Sequence, residues 1–336
     1  MTDLASFSAL SASIDWLEFS VHDLPYTTVI EDVLHLGAGD FTLLAGGRFG
    51  YQKQIKWADG NVFILFNDQD TPQAQSMGVH VMITGTGCRA YSQVHDLKAL
   101  LVELTARKPA AVFTRVDLAI DDMADRLVNF DRIHDAAIAG HFTSRWSKWD
   151  ELNSRQCTTG EFRGRTMYFG SQSSAIFCRI YDKTLERKAK SKEEKPVADH
   201  WTRLEVVFKK ERAQQLVGHL VGGMPVGVAI RGVLKQYIRF LVPSDRDTNK
   251  ARWASAPWWD HLLAGVESLS LTVKPETRSI EEMASWVEKQ ISPTIAAIMT
   301  AHQGDLAWLE GAIAKGAVRM SRRHHDAISN YLKESQ

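Results

Sequence analysis

The sequence predicts an α+β fold: a largely antiparallel or mixed central sheet with flanking helices over residues 1–242, followed by a smaller helical C-terminal region over 243–336. Three observations lead there. Segments with the two-residue alternation of strands come in runs separated by hairpin signals. Helix-spaced segments fall between those runs and not after every strand, which disfavours a doubly wound sheet. From residue 211 onward the pattern is mainly helical.

The first strand is Ile14-Asp15-Trp16-Leu17-Glu18-Phe19-Ser20-Val21, and residues 27–36 carry apolar positions at helical spacing. Residues 49–57 and 61–66 read as strands joined by Ala58-Asp59-Gly60, a hairpin signal, and 79–84 as a strand running into a Gly85-Thr86-Gly87 turn. A helix is expected over 93–107, capped by Ser92 and ended before Pro109. The cadence then returns: a strand over 112–120, a helix over 130–139, strands over 160–169 and 175–181 joined by Gly170-Ser171-Gln172-Ser173-Ser174, a charged helix over 184–195 and a strand over 202–208. This suggests a degenerate duplication of one strand-helix-strand-strand unit. Helices follow over 211–221 and 228–241. The Pro/Asp/Asn-rich stretch 243–249 and the tryptophans Trp253, Trp258 and Trp259 mark the boundary region. Beyond it 279–290, 293–302, 305–315 and 322–333 read as short helices, the first with Ser279 and Glu282 in a capping-box pattern.

At 336 residues the chain can form one large domain or two ordinary ones, and 44% hydrophobic residues can fill a core. Lys and Arg number 40 against 40 Asp and Glu, so a polyanionic partner must be met by a local basic surface. Cys88, Cys157 and Cys178 form no CxxC pair and are odd in number, which fits a reducing compartment and offers no thiolate metal site. Residues 1–13 have no basic start of a signal peptide, and no apolar run reaches the ~18 to 20 residues of a bilayer span. A soluble, cytoplasmic protein with no membrane partner is expected.

The chemistry centres on Arg179-Ile180-Tyr181-Asp182-Lys183 and the Glu186 that follows. Alternation puts Arg179, Tyr181 and Lys183 on one face of a strand. Two cations beside a phenol suit a tyrosine that attacks a phosphodiester, since its unperturbed pKa of about 10 makes it a poor nucleophile at neutral pH. The same pattern suits a sheet tyrosine whose hydroxyl finds a partner.

Two acid motifs sit on other strands. Arg115, Asp117, Ala119 and Asp121 share one strand face, with Val116, Leu118 and Ile120 on the other, and Arg203-Leu204-Glu205 again sets an acid among apolar residues. Oxygen-only ligands suit Mg²⁺ or Mn²⁺. Salt bridges from Arg115 to Asp117 and from Arg203 to Glu205 would account for the same residues. There is no HExxH, no phosphate loop ending in Gly-Lys-Ser/Thr, no GxSxG and no clustered histidine pair beyond His324-His325.

In order along the chain, Asp15-Trp16, Gly85-Thr86-Gly87-Cys88-Arg89, Arg115-Val116-Asp117-Leu118-Ala119-Ile120-Asp121, Tyr168-Phe169-Gly170-Ser171 with Ser174, Arg179-Ile180-Tyr181-Asp182-Lys183 with Glu186, and Arg203-Leu204-Glu205 resemble the Rep_trans or replication initiation factor family, the rolling-circle initiators of small plasmids, filamentous phages and integrative elements. The resemblance spans about residues 14–241, and its C-terminal region departs from the plasmid members. It implies a metal-dependent nickase that cuts one strand at an origin, keeps the 5′ phosphate on a tyrosine and frees a 3′ end as primer. On that resemblance Tyr181 is the nucleophile, Asp117 and Glu205 are metal ligands with Asp121 a third, and Arg179, Lys183 and Arg203 contact phosphate. It implies Mg²⁺ or Mn²⁺ as cofactor and origin DNA, a host helicase and a second copy of the chain as partners. The alternatives are a relaxase for conjugative mobilisation and a non-catalytic DNA-binding regulator of the same fold.

A neutral chain needs a basic patch to grip DNA. The densest cations near the tyrosine are Arg187, Lys188, Lys190 and Lys192, then Lys209 and Lys210, with Arg115 on the first acid strand. Helical spacing of Arg187 with Lys190 and of Lys188 with Lys192 gives one basic side, which a solvated helix would show equally.

Overall fold

A single antiparallel sheet of ten strands, in the order β2-β3-β4-β5-β1-β6-β11-β10-β9-β8, organises the described part of the chain in this computed structural model. The strands are β1 (Leu10–Val21), β2 (Phe41–Leu43), β3 (Lys53–Trp57), β4 (Val62–Phe66), β5 (Val79–Ile83), β6 (Val112–Asp122), β7 (Phe142–Ser144), β8 (Trp149–Arg155), β9 (Phe162–Phe169), β10 (Ile176–Asp182), β11 (Thr202–Lys209) and β12 (Ile238–Phe240), with β7 and β12 forming a small separate ladder. The helices are α1 (Tyr26–Thr28), which continues as a π-helical turn, α2 (Pro72–Met77), α3 (Gly85–Val94), α4 (Leu97–Ala106), α5 (Phe130–Ile138), α6 (Lys183–Lys190), α7 (Glu211–Val221), α8 (Val226–Tyr237) and α9 (Pro257–Leu263). The structure describes residues 10–58, 60–68, 71–124, 126–190, 199–265, 271, 279–318, 320 and 322–334.

The suspected duplication is present as topology. In each half the first strand, β1 or β6, lies at the sheet centre and a helical segment follows it. Three strands then step inward from the edge, and the last, β5 or β11, returns beside the first. Helices come next in both halves, α3 and α4 after β5, α7 and α8 after β11.

Because successive strand residues face opposite sides, the two faces of the sheet differ in kind. Leu17, Phe19, Val116, Leu118, Ile120, Leu204, Val206 and Phe208 belong to the buried core, where α7 and α8 pack across the central strands. The other face carries the arginines, acids and tyrosine singled out above. Eight-residue and longer central strands with one apolar side bury that side almost completely, which sets the register and with it every charged neighbour opposite.

Several elements differ from expectation. The helix expected over 93–107 with Ser92 as its cap is α4, which starts at Leu97 because Asp96 accepts from the Lys98 amide, while Ser92 lies inside α3. Gly85-Thr86-Gly87 is the first turn of α3 and not a turn after the strand. A Cβ on Gly85 would come within 2.8 Å of the Asp15 carboxylate, and one on Gly87 within 2.3 Å of the Asn61 carbonyl oxygen. The segment 228–241 divides into α8 and β12. Strand β8 carries Asp150, Glu151, Asn153 and Arg155 and is exposed along most of its length, as a charged edge strand is. The helix expected to reach residue 195 is described as far as Lys190.

Two compact units divide the chain. The first compact unit runs to Thr272, and the second, from Val273, holds α10 (Ile280–Trp286), α11 (Ser292–Ala301), α12 (Ala307–Val318) and α13 (Arg322–Glu334). The tryptophan segment belongs to the first unit because it closes the core. Trp259 is 1% exposed, and Phe240 meets Trp258 and Trp259 at ring distances of 5.1 and 5.0 Å. Among the described residues no helix is long and apolar enough to cross a membrane. Replacing so buried an indole leaves a large cavity, so Trp259→Ala is expected to lower stability by about 3–5 kcal/mol in urea unfolding. A loss below about 1 kcal/mol would place the segment outside the core.

Candidate active site

Register assembles the site before any side chain is considered. On one row across β6, β11, β10 and β9 stand Asp121, Arg203, Tyr181 and Thr166; on the next stand Ala119, Glu205, Arg179 and Tyr168. Acid, arginine and phenol therefore alternate between neighbouring strands on the open face. Ala119 leaves room beside Glu205.

The hydrogen bonds follow those rows. Tyr181 Oη donates to Glu205 Oε1 at 2.5 Å, and Lys183 Nζ lies 3.2 Å from the same phenolic oxygen. Arg179 Nε donates to the other oxygen of Glu205, and its Nη2 lies 3.5 Å from Asp117. Asp117, with no exposed surface, is gripped at both oxygens by Arg115 at 2.8 and 2.7 Å. Arg203 makes the corresponding fork on Asp121 at 2.6 and 2.7 Å, and Trp201 Nε1 also donates to Asp121. Arg203 further donates to Asp15 at 2.6 Å and lies 3.7 Å from Glu205.

These surroundings decide which groups hold protons. Burial, then the Glu205 charge, pushes the Tyr181 phenol well above its ordinary range. Burial would raise Glu205 too, but Arg179, the Tyr181 hydroxyl and Arg203 hold it below the usual carboxylate range. Burial raises Asp117 to about 6 despite Arg115 and Arg179, and raises Asp15 to about 6 with help from Glu205. Lys183 falls below the usual lysine range through burial, its pair with Glu186 at 2.5 Å notwithstanding.

Tyr181 opens on a cavity of about 770 Å³ whose lining includes Asp15, Trp16, Arg89, Arg179, Lys183 and Glu186, with Arg163, Arg165 and Tyr168 from β9. A cavity of equal volume around Asp23, Tyr26 and Phe66 is lined by two aspartates and no cation, so a polyanion has reason to enter only the first. Of the residues expected to act together, Tyr181, Arg179 and Lys183 line the cavity. Asp117, Asp121, Glu205 and Arg203 lie beneath it. Among the basic residues, Arg187 and Lys188 are exposed on α6, whose Glu186 and Ala189 reach the cavity wall, while Lys192 lies outside the described residues and Lys190 is placed only by its backbone. Lys209 stands opposite Arg115 in the ladder, with Nζ on the Gln172 carbonyl, and Lys210 is exposed at the start of α7.

Asp15 is the contributor whose role the sequence hid. The β1–β6 ladder slips by one residue between Ile14 and Trp16, so Asp15 is the extra residue of a bulge. Both Asp15 and Trp16 consequently reach the charged face, where strict alternation would have sent one of them into the core. Only the pairing partner reveals that slip.

Comparison with known proteins bears on this geometry. Residues 111–313 match the profile of the replication initiation factor family, and residues 11–100 match that of the rolling circle replication initiation protein N-terminal domain. The chain belongs to the replication initiation factor family. The two matches fall on the two topological halves in turn. NicK of Bacillus subtilis (strain 168), a candidate DNA relaxase, is 26% identical over 301 residues, covering 88% of this chain and 83% of that protein. The structure of a rolling circle replication initiator protein from Geobacillus stearothermophilus superposes with a TM-score of 0.66 at 26% identity, covering 78% of this chain and 98% of the other.

Whether a divalent cation fits this family member depends on its donors. They are carboxylate oxygens, which suit a hard ion. Among the described residues no three metal-binding side chains converge, because arginines already close Asp117, Asp121 and Glu205. Asp15 lines the cavity, and its Oδ1 accepts from Arg203 at 2.6 Å and from Arg89 at 3.4 Å.

The raised pKa of Asp117 carries a sign that can be checked. A carboxyl that is easier to protonate in the folded than in the unfolded chain stabilises the fold fully below its unfolded value of 3.8, and that contribution is lost as pH rises through about 6. The stability of Asp117→Asn relative to the parent should therefore improve by about 2 kcal/mol between pH 4 and pH 7, measured by chemical denaturation in EDTA. A relative stability that is flat or falls over that window would contradict the burial described for Asp117.

Proposed function

We propose that this chain is a DNA nicking and joining enzyme that initiates rolling-circle replication, with Tyr181 as its nucleophile. The observation that carries the reading is the phenol itself: it opens on the cation-lined cavity, hydrogen-bonded to a buried carboxylate and touched by a lysine. The phenolic oxygen attacks the phosphorus of a phosphodiester in one strand. Its proton passes to Glu205 Oε1, the P–O3′ bond breaks, and the departing 3′ oxygen takes a proton from water. The products are a 5′-phosphotyrosyl link and a free 3′-OH, and the reverse sequence rejoins strands.

The resting state fits a nucleophile kept quiet until substrate arrives. Without a phosphate the phenol stays protonated against an ionised Glu205. Arg179 and Lys183 stabilise the added negative charge of the phosphoryl group as it forms. Arg115, Arg179 and Arg203 hold Asp117, Glu205 and Asp121 as the floor of the site, and a Mg²⁺ or Mn²⁺ held by these acids, with Asp15 beside them, would take the place of those arginine contacts. That ion, when bound, supplies Lewis-acid stabilisation of phosphoryl oxygens. Arg187, Lys188 and Lys209 serve as backbone contacts for the flanking DNA.

Tyr181→Phe should bind single-stranded DNA normally yet convert no supercoiled replicon to the open circle. Asp15→Asn should bind but nick at least ~100-fold more slowly in Mn²⁺, the order expected from losing one electrostatic group of a phosphoryl-transfer site. Open-circle formation on agarose gels measures both, with EDTA abolishing activity in the parent. Full nicking by Tyr181→Phe would remove the nucleophile assignment, and full nicking in excess EDTA would remove the cation.

A further inference from the structure

Trp16 has no structural duty that accounts for its surroundings. It faces the charged side of the sheet only because of the bulge at Asp15, and it lines the Tyr181 cavity while remaining partly exposed. It is also absent from the hydrophobic core and from the apolar side chains packed against that core. A large indole on a wet, charged face gains little from burial.

Its neighbours nevertheless hold it in one orientation. Its Nε1–H donates to Glu18 Oε1 at 2.6 Å, and the Arg115 guanidinium lies over its ring at 4.3 Å from the centroid. Each clamp is itself fixed from behind. Arg115 is forked onto the fully buried Asp117. Glu18 stands 3.9 Å from His80 Nε2, whose Nδ1 meets Ser20 Oγ at 3.0 Å. A line of contacts thus runs across β6, β1 and β5 from the floor of the reactive site and orients a single aromatic ring.

We propose that Trp16, held between Arg115 and Glu18, is a stacking platform for an unpaired base of the DNA strand whose phosphate lies at Tyr181. The inference rests on the nicking reading of that site. A partly exposed indole next to a guanidinium offers what bases stack on, and the adjoining cations take the backbone. A base-paired nucleotide cannot present its face in this way, so the platform selects melted or single-stranded DNA. Stacking tolerates any base, so it fixes the strand in register without reading sequence. Asp117 and Glu18 are positioning residues for the platform.

The test separates bases from phosphates. The full chain is titrated by fluorescence anisotropy with a labelled oligo(dT) and with an abasic oligomer of the same length. The parent should prefer oligo(dT). Trp16→Ala should weaken oligo(dT) binding by about 5- to 150-fold, leaving abasic binding and its salt slope unchanged, and Trp16→Phe should retain most of the affinity. Unchanged abasic binding also reports that the variant is folded. Equal losses on both oligomers, or no loss on either, would overturn the platform, as would a parent that does not distinguish the two. A parent that stacks bases but never nicks would instead remove the nicking reading and leave the stacking result standing.

Discussion

Glu205 is an ionised carboxylate with no exposed surface, set in the middle of a ten-stranded sheet, and the arrangement of the open face follows from stabilising it. An unpaired charge there would cost several kcal/mol. Arg179, Arg203 and the Tyr181 hydroxyl stabilise it together. Those arginines then need further acids, which Asp117, Asp121 and Asp15 supply, and Arg115 closes the series on Asp117. The chain's overall neutrality is repeated locally, where Asp121 stands beside Arg203 and Glu205 beside Arg179 along the rows of the sheet.

That lattice explains why the Tyr181 phenol is held in its protonated form. A phenol beside a carboxylate in a poorly solvated setting keeps its proton until positive charge or a phosphate redistributes the field. The rigidity that the arginine forks give the floor also bears on the cavity. Arg179 from β10, Lys183 from the start of α6 and Trp16 from β1 line it, so a strand entering it would meet groups already in place. Such preorganisation is where electrostatic catalysis gains its advantage over water.

Much of this was legible in the residues. Two-residue alternation put Arg179, Tyr181 and Lys183 on one side of their strand and Asp117 and Asp121 on one side of theirs, and strand pairing brings both sets to the same open face. The repeated cadence of the two halves was visible as rhythm without identity. What stayed hidden has physical causes. A bulge is a property of two strands together, so Asp15 could not be aimed from its own strand. The sequence lists carboxylates without showing the arginines that contact Asp117 and Asp121 once the strands pair. The strand β8 was missed because charged edges lack the apolar alternation that marks a strand, and Trp259 looked like a linker residue because its partner Phe240 lies beyond a turn.

The central claim is that the covalent link to DNA forms at the phenol of Tyr181. Incubating the protein with a single-stranded substrate carrying its nick site, digesting both components and sequencing the nucleotide-bearing peptide by mass spectrometry reads that link directly. The account requires the added nucleotide phosphate on Tyr181, in the peptide that spans β10. Its appearance on Tyr168, which shares the cavity from the neighbouring strand, or on any other residue, would contradict it.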